Sequence, residues 1–279
     1  MCDKIKKGWF NMKKSIADFN NNEINYTSKL LQSNTNIKAI RKKTGLQKNE
    51  IHFLADYFHI DYDFENNLPI YTFNDSKIGI ISDTHIGSKF ENKRYIDIAI
   101  NYFIKNNISK SIHCGDMFQA IIEPMKYGLQ RQMNTALKEY PQTKQVTNYV
   151  LGGNHEFHFM EREEELFYYL FTRKDMKYLG LKEAYIKWKN KLIKIEHPIT
   201  KFFIDLPKVE ADMTIEGHHH FFTVKKNSIY VPTLSDDIKK PNEKPAFLEA
   251  TLDNNTLYIE KINVSNKIES KKLVYKKNI

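Results

Sequence analysis

Short apolar runs that each end in a polar cluster are the feature of this sequence that most limits its fold. The clusters are Asp83-Thr84-His85, Gly115-Asp116, Gly152-Gly153-Asn154-His155-Glu156 and Gly217-His218-His219-His220. Stretches with helical periodicity separate the first three runs, whereas each run itself has the length and β-branched content of a buried strand. Strands that alternate with helices predict parallel β-α-β units with right-handed crossovers.

The periodicity predicts a chain order of secondary-structure elements. Strands are expected at 77–82, 111–114 and 146–151, and helices at 92–107, 129–140 and 162–173. The second half is richer in strands, with hairpins predicted at 184–196 and 247–264 and further strands at 211–216, 221–225 and 228–231. The expected fold class is α/β, a four-layer α/β/β/α sandwich of two mixed sheets with a small N-terminal helical region.

The pattern also predicts two domains, a helical region over residues 1–75 and a catalytic domain over 76–279. Within 36–60, apolar residues on both sides of Gly45 resemble a helix-turn-helix. Gln47, Lys48 and Asn49 would then open the second helix with polar side chains of the kind that contact nucleic acid. Arg41 stands where that motif usually has a small residue, so an ordinary helical hairpin remains an equal alternative.

Composition excludes several classes of protein. The two cysteines among 279 residues offer no disulfide framework, which predicts a reducing compartment. The first residues lack the apolar segment of a signal peptide, and no apolar run approaches the length of a membrane span. We therefore expect a soluble, cytoplasmic protein with no membrane partner.

The formal net charge of +9 is a weak indication of a polyanionic partner. Arginine occurs only five times among the 43 basic residues, and an AT-rich coding sequence would give such a preference for lysine whatever the function. The charge is also spread along the chain. The net charge therefore favours a polyanionic substrate but does not establish that the substrate is a polyanion.

The polar clusters predict a metal site, because ligands in open α/β sheets bind beyond the carboxyl ends of the strands. Alternation along an extended segment would place Asp83 and His85 on one face, and likewise His218 and His220. His197 ends another predicted strand. Mixed oxygen and imidazole ligands suit Mn, Fe, Zn or Ni better than Ca or Mg, and their number favours two ions.

In this order the motifs Asp-x-His, Gly-Asp, Gly-Asn-His-Glu, His and Gly-His-x-His resemble the calcineurin-like metallophosphoesterase superfamily over residues 77–235. The resemblance implies two divalent cations, with Mn²⁺ expected first and Fe, Zn or Ni as alternatives. It assigns the first metal to Asp83, His85 and His220, the second to Asn154, His197 and His218, and the bridging position to Asp116. Relatives often have Gly after the single His, where this chain has Pro198.

The resemblance also implies a mechanism, in which metal-bound hydroxide attacks phosphorus. His155 would assist the leaving group, with Asp116 and Asn154 completing the catalytic set. Glu156 is expected to orient an imidazole.

The substrate stays open at this level, because the superfamily cleaves many phosphoesters. Our leading hypothesis is a phosphodiesterase or nuclease acting on DNA or RNA, with Arg131 and Tyr127 as candidates for contacting phosphate or base. One alternative is a phosphomonoesterase or nucleotide hydrolase with a structural N-terminal region. The other is a nucleic-acid-binding module without catalysis, against which the intact motif set argues.

Overall fold

The computed structural model describes residues 19–32, 37–57, 62–63, 68–199 and 209–279, and the chain divides into two compact units, 1–71 and 72–279. The first unit contains helices α1 (Asn21–Gln32), α2 (Ile37–Thr44) and α3 (Lys48–Tyr57). Two short strands follow, β1 (Tyr62–Asp63) and β2 (Leu68–Phe73), which pair antiparallel. The N-terminal helical region expected from the sequence is present.

A small apolar core holds the three N-terminal helices together. Its fully buried members are Leu31, Ile40, Ile51, Leu54 and Ala55. Gly45 ends α2 with a φ of 74°, a left-handed conformation that glycine adopts at little cost, and its amide donates to the Arg41 carbonyl at 2.9 Å. The turn between α2 and α3 is therefore three residues long, as a helix-turn-helix requires.

The second unit carries most of the regular structure. In chain order its elements are β3 (Lys77–Ile81), α4 (Lys93–Lys105), β4 (Lys110–His113), α5 (Leu129–Glu139), β5 (Thr147–Gly152), α6 (Asn154–Tyr169), a 3-10 helix (Leu170–Thr172), β6 (Met176–Leu181), β7 (Glu183–Trp188), β8 (Lys191–Glu196), β9 (Met213–Glu216), β10 (Thr223–Lys225), β11 (Ser228–Tyr230), β12 (Ala246–Asp253), β13 (Thr256–Val264) and β14 (Ile268–Asn278).

These strands form two mixed sheets. The first sheet has the order β14-β13-β12-β3-β4-β5-β6, in which β3 to β6 are parallel neighbours and β12 to β14 are antiparallel. The second contains β7-β8-β9-β11-β10, with parallel pairing of β8 to β9 and of β9 to β11. The predicted α/β sandwich of two mixed sheets is confirmed.

Both faces of the first sheet are buried at its central strand β3. Helices α4, α5 and α6 pack on one face through a cluster that includes Ile81 of β3, Phe103 of α4 and Phe247 of β12. Ile78 and Ile80 alternate with Ile81 along β3 and are buried outside that cluster, so they face the opposite side. Such double burial explains why the central strands have nearly continuous apolar sequences.

Five elements differ from the sequence prediction, two of which, β1 and β2, are strands within the region predicted to be helical. Helix α6 begins at Asn154, directly after β5, and not at residue 162; a kink at Glu163 (φ −141°, ψ 60°) divides it. Strands β6 and β14 were not predicted, because Gly180 interrupts the first and the second is a mostly exposed, lysine-rich edge strand without clear alternation. Among the described residues, no helix combines the length and apolar character needed to cross a membrane.

Glu249 is a fully buried carboxylate in the first sheet. It accepts hydrogen bonds from Lys77 Nζ at 2.6 Å, Tyr102 Oη at 2.5 Å and Lys271 Nζ at 3.0 Å. Burial by itself would raise the pKa of Glu249, but these three donors lower it. The ionised carboxylate therefore stabilises the folded state at pH values above the ordinary glutamate pKa of about 4.3. This stabilisation is lost as the pH falls below that value.

We expect Glu249→Gln to lower the free energy of unfolding by about 1–3 kcal/mol at neutral pH, because the amide keeps the shape and loses the charge. The difference from wild type should shrink as the pH falls below about 4.3. Urea denaturation across that pH range measures it. Glu260→Gln is the control, because Glu260 pairs with Lys271 at 2.9 Å while 30% exposed, which predicts a change below about 0.5 kcal/mol. A difference that is constant with pH would contradict this account.

Candidate metal centre

The polar clusters of the sequence meet at one edge of the two sheets. Asp83 follows β3, Asp116 follows β4, and Asn154 follows β5 at the start of α6. Because these three strands are parallel neighbours, their carboxyl ends lie side by side. His197 and His218 come from the ends of β8 and β9, which are parallel neighbours in the second sheet.

The backbone reaches this arrangement differently from the extended geometry that the sequence predicted. Asp83 and His85 have φ values of 53° and 47°, and His218 and His220 have values of 76° and 63°. Asp116 is also left-handed, with a φ of 54°. Left-handed backbone is unfavourable for such residues, and its concentration here is typical of functional sites. The prediction that strand alternation pairs these side chains was therefore wrong, although the side chains do converge.

One group of candidate ligand atoms comprises Asp83, His85 and His220, all buried and mutually within 4.8 Å. His220 Nε2 lies 3.3 Å from Asp83 Oδ1 and 3.2 Å from His85 Nε2. Asp83 Oδ1 and His85 Nδ1 are buried without a hydrogen-bond partner among the described residues. These atoms form a compact acceptor-rich pocket.

A second group lies around Asp116, whose carboxylate falls within 4.8 Å of His197 and His218. His197 Nε2 lies 3.1 Å from Asp116 Oδ2. Asn154 Oδ1 completes the group, at 3.2 Å from His197 Nε2 and 3.1 Å from His218 Nδ1. Asp116 also groups with His85 and His155, so its carboxylate stands between the two sets of atoms.

Backbone carbonyls fix the orientation of three of the imidazoles. His197 Nδ1 donates to Cys114 O at 2.7 Å, and His220 Nδ1 donates to Asp237 O at 2.7 Å. His155 Nδ1 donates to Gln119 O at 2.8 Å. Since a carbonyl only accepts, Nδ1 carries the proton in each ring and Nε2 faces the site. No sequence signal marks these carbonyls, because any residue type supplies one.

Glu156 orients backbone and not an imidazole, which corrects the prediction. Its oxygens accept from the amides of Asp116 at 2.9 Å, Phe118 at 2.8 Å and Gly153 at 2.7 Å. Three amide donors from two loops thus converge on one buried carboxylate. Gly153 must be glycine here, since a Cβ would lie 2.3 Å from Asp116 Oδ1.

The charges of the site are set by burial together with carboxylate–imidazole contacts. Burial alone would raise the pKa values of Asp83 and Asp116, but His220 and His197 respectively hold them well below the usual range. Burial would lower the pKa of His197, whereas Asp116 raises it to about 10. Burial lowers the pKa of His85 to about 4. Two ionised carboxylates in a buried cluster of imidazoles form a site suited to cations.

A cavity of about 310 Å³ opens onto these groups. It is lined by His85, Ser88, Phe90, Asp116, Gln119, Ile122, Glu123, Pro124, His155, His218, His220, Asp237 and Lys239. Asp237 and Lys239 pair at 2.9 Å at its rim and were not singled out in the sequence, because no motif surrounds them.

Tyr127 and Arg131, the sequence candidates for substrate binding, do not line this cavity. The Tyr127 hydroxyl donates to Glu91 Oε2 at 2.7 Å, and the Arg131 guanidinium lies over the Tyr127 ring at 4.7 Å. The structure thus places Tyr127 in the scaffold of the loop before α5 and Arg131 in the first turn of α5.

Gln47, Lys48 and Asn49 lie at the start of α3. Gln47 and Lys48 are exposed, whereas the side chain of Asn49 lies outside what the structure describes. The side-chain oxygen Oε1 of Gln47 accepts a hydrogen bond from Arg41 Nη2 at 3.3 Å, which links the end of α2 to the start of α3.

The donor set fits divalent cations. The site combines imidazole Nε2 atoms that face carboxylates with an Asp83 oxygen that has no hydrogen-bond partner among the described residues. Such mixed nitrogen and oxygen ligands match the preference of Mn, Fe, Zn and Ni. Such a site at the strand ends of an α/β sandwich is suited to metal-assisted hydrolysis. A family model described as calcineurin-like phosphoesterase matches residues 76–250. The chain belongs to this family, so the protein is a metal-dependent phosphoesterase and the resemblance read from its motifs is confirmed.

The solved structures that match the chain are distant in sequence. Vacuolar protein sorting 29 from Cryptosporidium parvum is 14% identical, with a TM-score of 0.47 over 74% of this chain and 100% of its own. The YfcE phosphoesterase from E. coli is 13% identical, with a TM-score of 0.44 over 73% and 99%. Vps29 from Entamoeba histolytica, solved with zinc, is 12% identical, with a TM-score of 0.44 over 71% and 98%. No curated protein matches the chain.

Proposed function

We propose that residues 76–279 form a phosphodiesterase domain that uses two divalent cations, with Mn²⁺ the first candidate, to hydrolyse DNA or RNA. The observation that carries the proposal is the position of Asp116, whose carboxylate belongs to ligand groups on both sides of it. A carboxylate shared between two groups is the arrangement of two-metal sites that transfer phosphoryl groups.

The ligand sets follow the two clusters. Asp83, His85 and His220 would hold one cation, Asn154, His197 and His218 would hold the other, and Asp116 would contact both. Bound cations of this kind lower the pKa of a coordinated water and neutralise the phosphate oxygens. The carbonyls of Cys114 and Asp237 keep Nε2 of His197 and His220 directed at the site.

His155 is proposed to protonate the leaving oxygen. Its Nδ1 is held by the Gln119 carbonyl at 2.8 Å, so Nε2 is the atom that faces the cavity. Nε2 also lies 3.7 Å from Asp116 Oδ2, the carboxylate proposed to contact both cations. An imidazole in this position can act as the general acid for an alkoxide that departs towards the cavity.

The preference for nucleic acid is supported by the charge of +9 and by the α2–α3 pair. The basic residues Lys38, Arg41, Lys42, Lys43 and Lys48 are all exposed on these two helices.

The free thiol of Cys114 is consistent with the reducing cytoplasm that we propose as the location of the enzyme.

Replacing Lys48 by alanine is expected to weaken duplex DNA binding and to reduce the slope of log K against log salt by about 0.9, because one phosphate contact is lost. Fluorescence anisotropy over a salt series measures it. Lys29→Ala on α1 is the control. An unchanged slope would reduce α2 and α3 to a structural hairpin.

Chelation of divalent cations is expected to abolish hydrolysis of bis(p-nitrophenyl) phosphate, and Mn²⁺ is expected to restore it, because water is too weak a nucleophile without a metal. The diester should be cleaved with a higher kcat/KM than p-nitrophenyl phosphate. A panel of single- and double-stranded DNA, RNA and mononucleotides completes the measurement. If the monoester were strongly preferred and every polynucleotide stayed intact, the phosphomonoesterase alternative would replace this proposal.

A further inference from the structure

The metal cavity is too small to hold more than a short part of a polynucleotide. Its volume of about 310 Å³ is at the lower end of the roughly 300–1,000 Å³ that is typical of pockets for one small molecule. A phosphodiester in a long strand must therefore place its neighbouring nucleotides on the surface around the cavity mouth. The groups on that surface decide which polynucleotide fits.

An aromatic surface continues from the cavity over the β9–β11 region. His218 lines the cavity, and the next residue, His219, stacks on Tyr230 with ring centroids 3.9 Å apart and an interplanar angle of 12°. Phe221 lies next to both, 6.0 Å from the His219 ring and 6.3 Å from the Tyr230 ring. We call Phe221, His219 and Tyr230 the aromatic strip.

Lysines accompany the rings of this strip. Lys240 Nζ lies 3.4 Å from the centre of the Phe221 ring, and Lys225 Nζ lies 5.2 Å from that of Tyr230. Both lysines are exposed, and within the described part of the chain neither has a carboxylate within 4.0 Å. Lys239, which precedes Lys240, lines the cavity, so the cationic side chains extend from the cavity to the strip.

Acidic groups beside the strip are already paired. Glu216 accepts from His219 Nε2 at 2.7 Å, and Asp237 pairs with Lys239 at 2.9 Å. Asp236 accepts from Tyr95 Oη at 2.8 Å. Each of these carboxylates thus has a hydrogen-bond or ion-pair partner, and the three rings of the strip are half-buried beside the two exposed lysines.

Phe90 adds a ring at the cavity itself. It lines the cavity with 41% of its surface exposed, although large apolar side chains of this kind are usually covered. Its carbonyl accepts from the Asp236 amide at 2.9 Å, which joins its loop to the segment carrying Lys239 and Lys240.

We infer that the aromatic strip, with Phe90, Lys225 and Lys240, binds the nucleotides that flank the scissile phosphate in a single-stranded polynucleotide. Unpaired bases expose the faces that stack on aromatic rings, whereas a duplex keeps those faces within its own base stack. The lysines then contact the backbone phosphates. The inference rests on the proposed phosphodiesterase function and names its substrate class.

The test compares a twelve-nucleotide thymidine oligomer with bis(p-nitrophenyl) phosphate, which has no nucleotides beyond the scissile phosphate. Phe221→Leu and Tyr230→Leu keep apolar bulk and remove the aromatic face. Each is expected to raise KM for the oligomer by about 5- to 100-fold and to leave kcat/KM for the small diester unchanged. Tyr258→Leu is the matched control, because Lys276 Nζ lies 5.2 Å over its ring on β13 and β14, away from the cavity lining.

Salt dependence gives a second readout. Lys240→Gln is expected to reduce the slope of log kcat/KM for the oligomer against log salt by about 0.7, the value for one phosphate contact on a single strand. Lys276→Gln should leave the slope unchanged.

The outcomes separate this inference from the proposed function. If wild type cleaves no diester with any cation, the proposed function fails. If it cleaves the small diester while Phe221→Leu and Tyr230→Leu leave the oligomer KM unchanged, only the inference fails. Equal losses on both substrates, or a preference for duplex over single strands, would also overturn the inference.

Discussion

Asp116→Asn is expected to lower kcat for bis(p-nitrophenyl) phosphate by about 10³-fold and to reduce the metal content of the purified protein. Asparagine has the same shape, and its oxygen can still accept from the His155 amide, as Asp116 Oδ1 does at 3.0 Å. The negative charge between the two ligand groups is lost, however, and metal-assisted stabilisation of the transition state amounts to several kcal/mol. Steady-state kinetics and metal analysis measure the two effects.

Asp97→Asn provides the matched control, because Asp97 is an exposed carboxylate on α4 and does not line the cavity. Its activity and metal content should equal those of wild type. Wild-type metal content together with wild-type activity in Asp116→Asn would show that this carboxylate does not join two metal sites.

His155→Asn is expected to lower kcat by about 10²- to 10⁴-fold for a dinucleotide, because the leaving alkoxide then lacks a proton donor. The loss should be much smaller for bis(p-nitrophenyl) phosphate, since p-nitrophenolate is stable enough to leave unprotonated. Metal content should stay that of wild type. Comparing the two substrates thus distinguishes an acid from a metal ligand.

His158→Asn is the control on the same helix, one turn further along, where the ring pairs with Glu161 at 3.0 Å. It should leave both rates unchanged. If His155→Asn lost metal, or lost activity equally on both substrates, His155 would act as a metal ligand. Its candidate ligand atom lies within 4.8 Å of those of His85 and Asp116, so the geometry allows that role.

Local sequence patterns were sufficient to predict secondary structure where a run of residues suits only one environment. The β-branched run before Asp83 could only be a buried strand, and β3 begins at the predicted residue, Lys77. The start of α6 could not be predicted, because Asn154 and His155 resemble a loop until neighbouring strands supply contacts. The Glu156 carboxylate accepts hydrogen bonds there from three backbone amides of two loops. Sequence periodicity cannot predict such contacts, because those to Asp116 and Phe118 join residues far apart in the chain.

Surface roles were the least predictable. Tyr127 and Arg131 have the side chains that bind nucleotides, yet the hydroxyl of Tyr127 is held by Glu91. Conversely, Phe221 and Lys240 are separated by 19 positions in the chain and meet only because the segments after β9 and β11 fold together.

By itself the sequence determined the family, the order of the central strands and helices, and the residue types available at the strand ends. Those follow from short-range periodicity and from ordered motifs, both of which are properties of adjacent residues. Only the tertiary structure decided which atoms face the site. Left-handed backbone at Asp83, His85 and His220, and carbonyls that fix the imidazole protons, arise from contacts between strands far apart in the chain. The chemistry of the centre depends on those long-range contacts, because they set the direction of each lone pair.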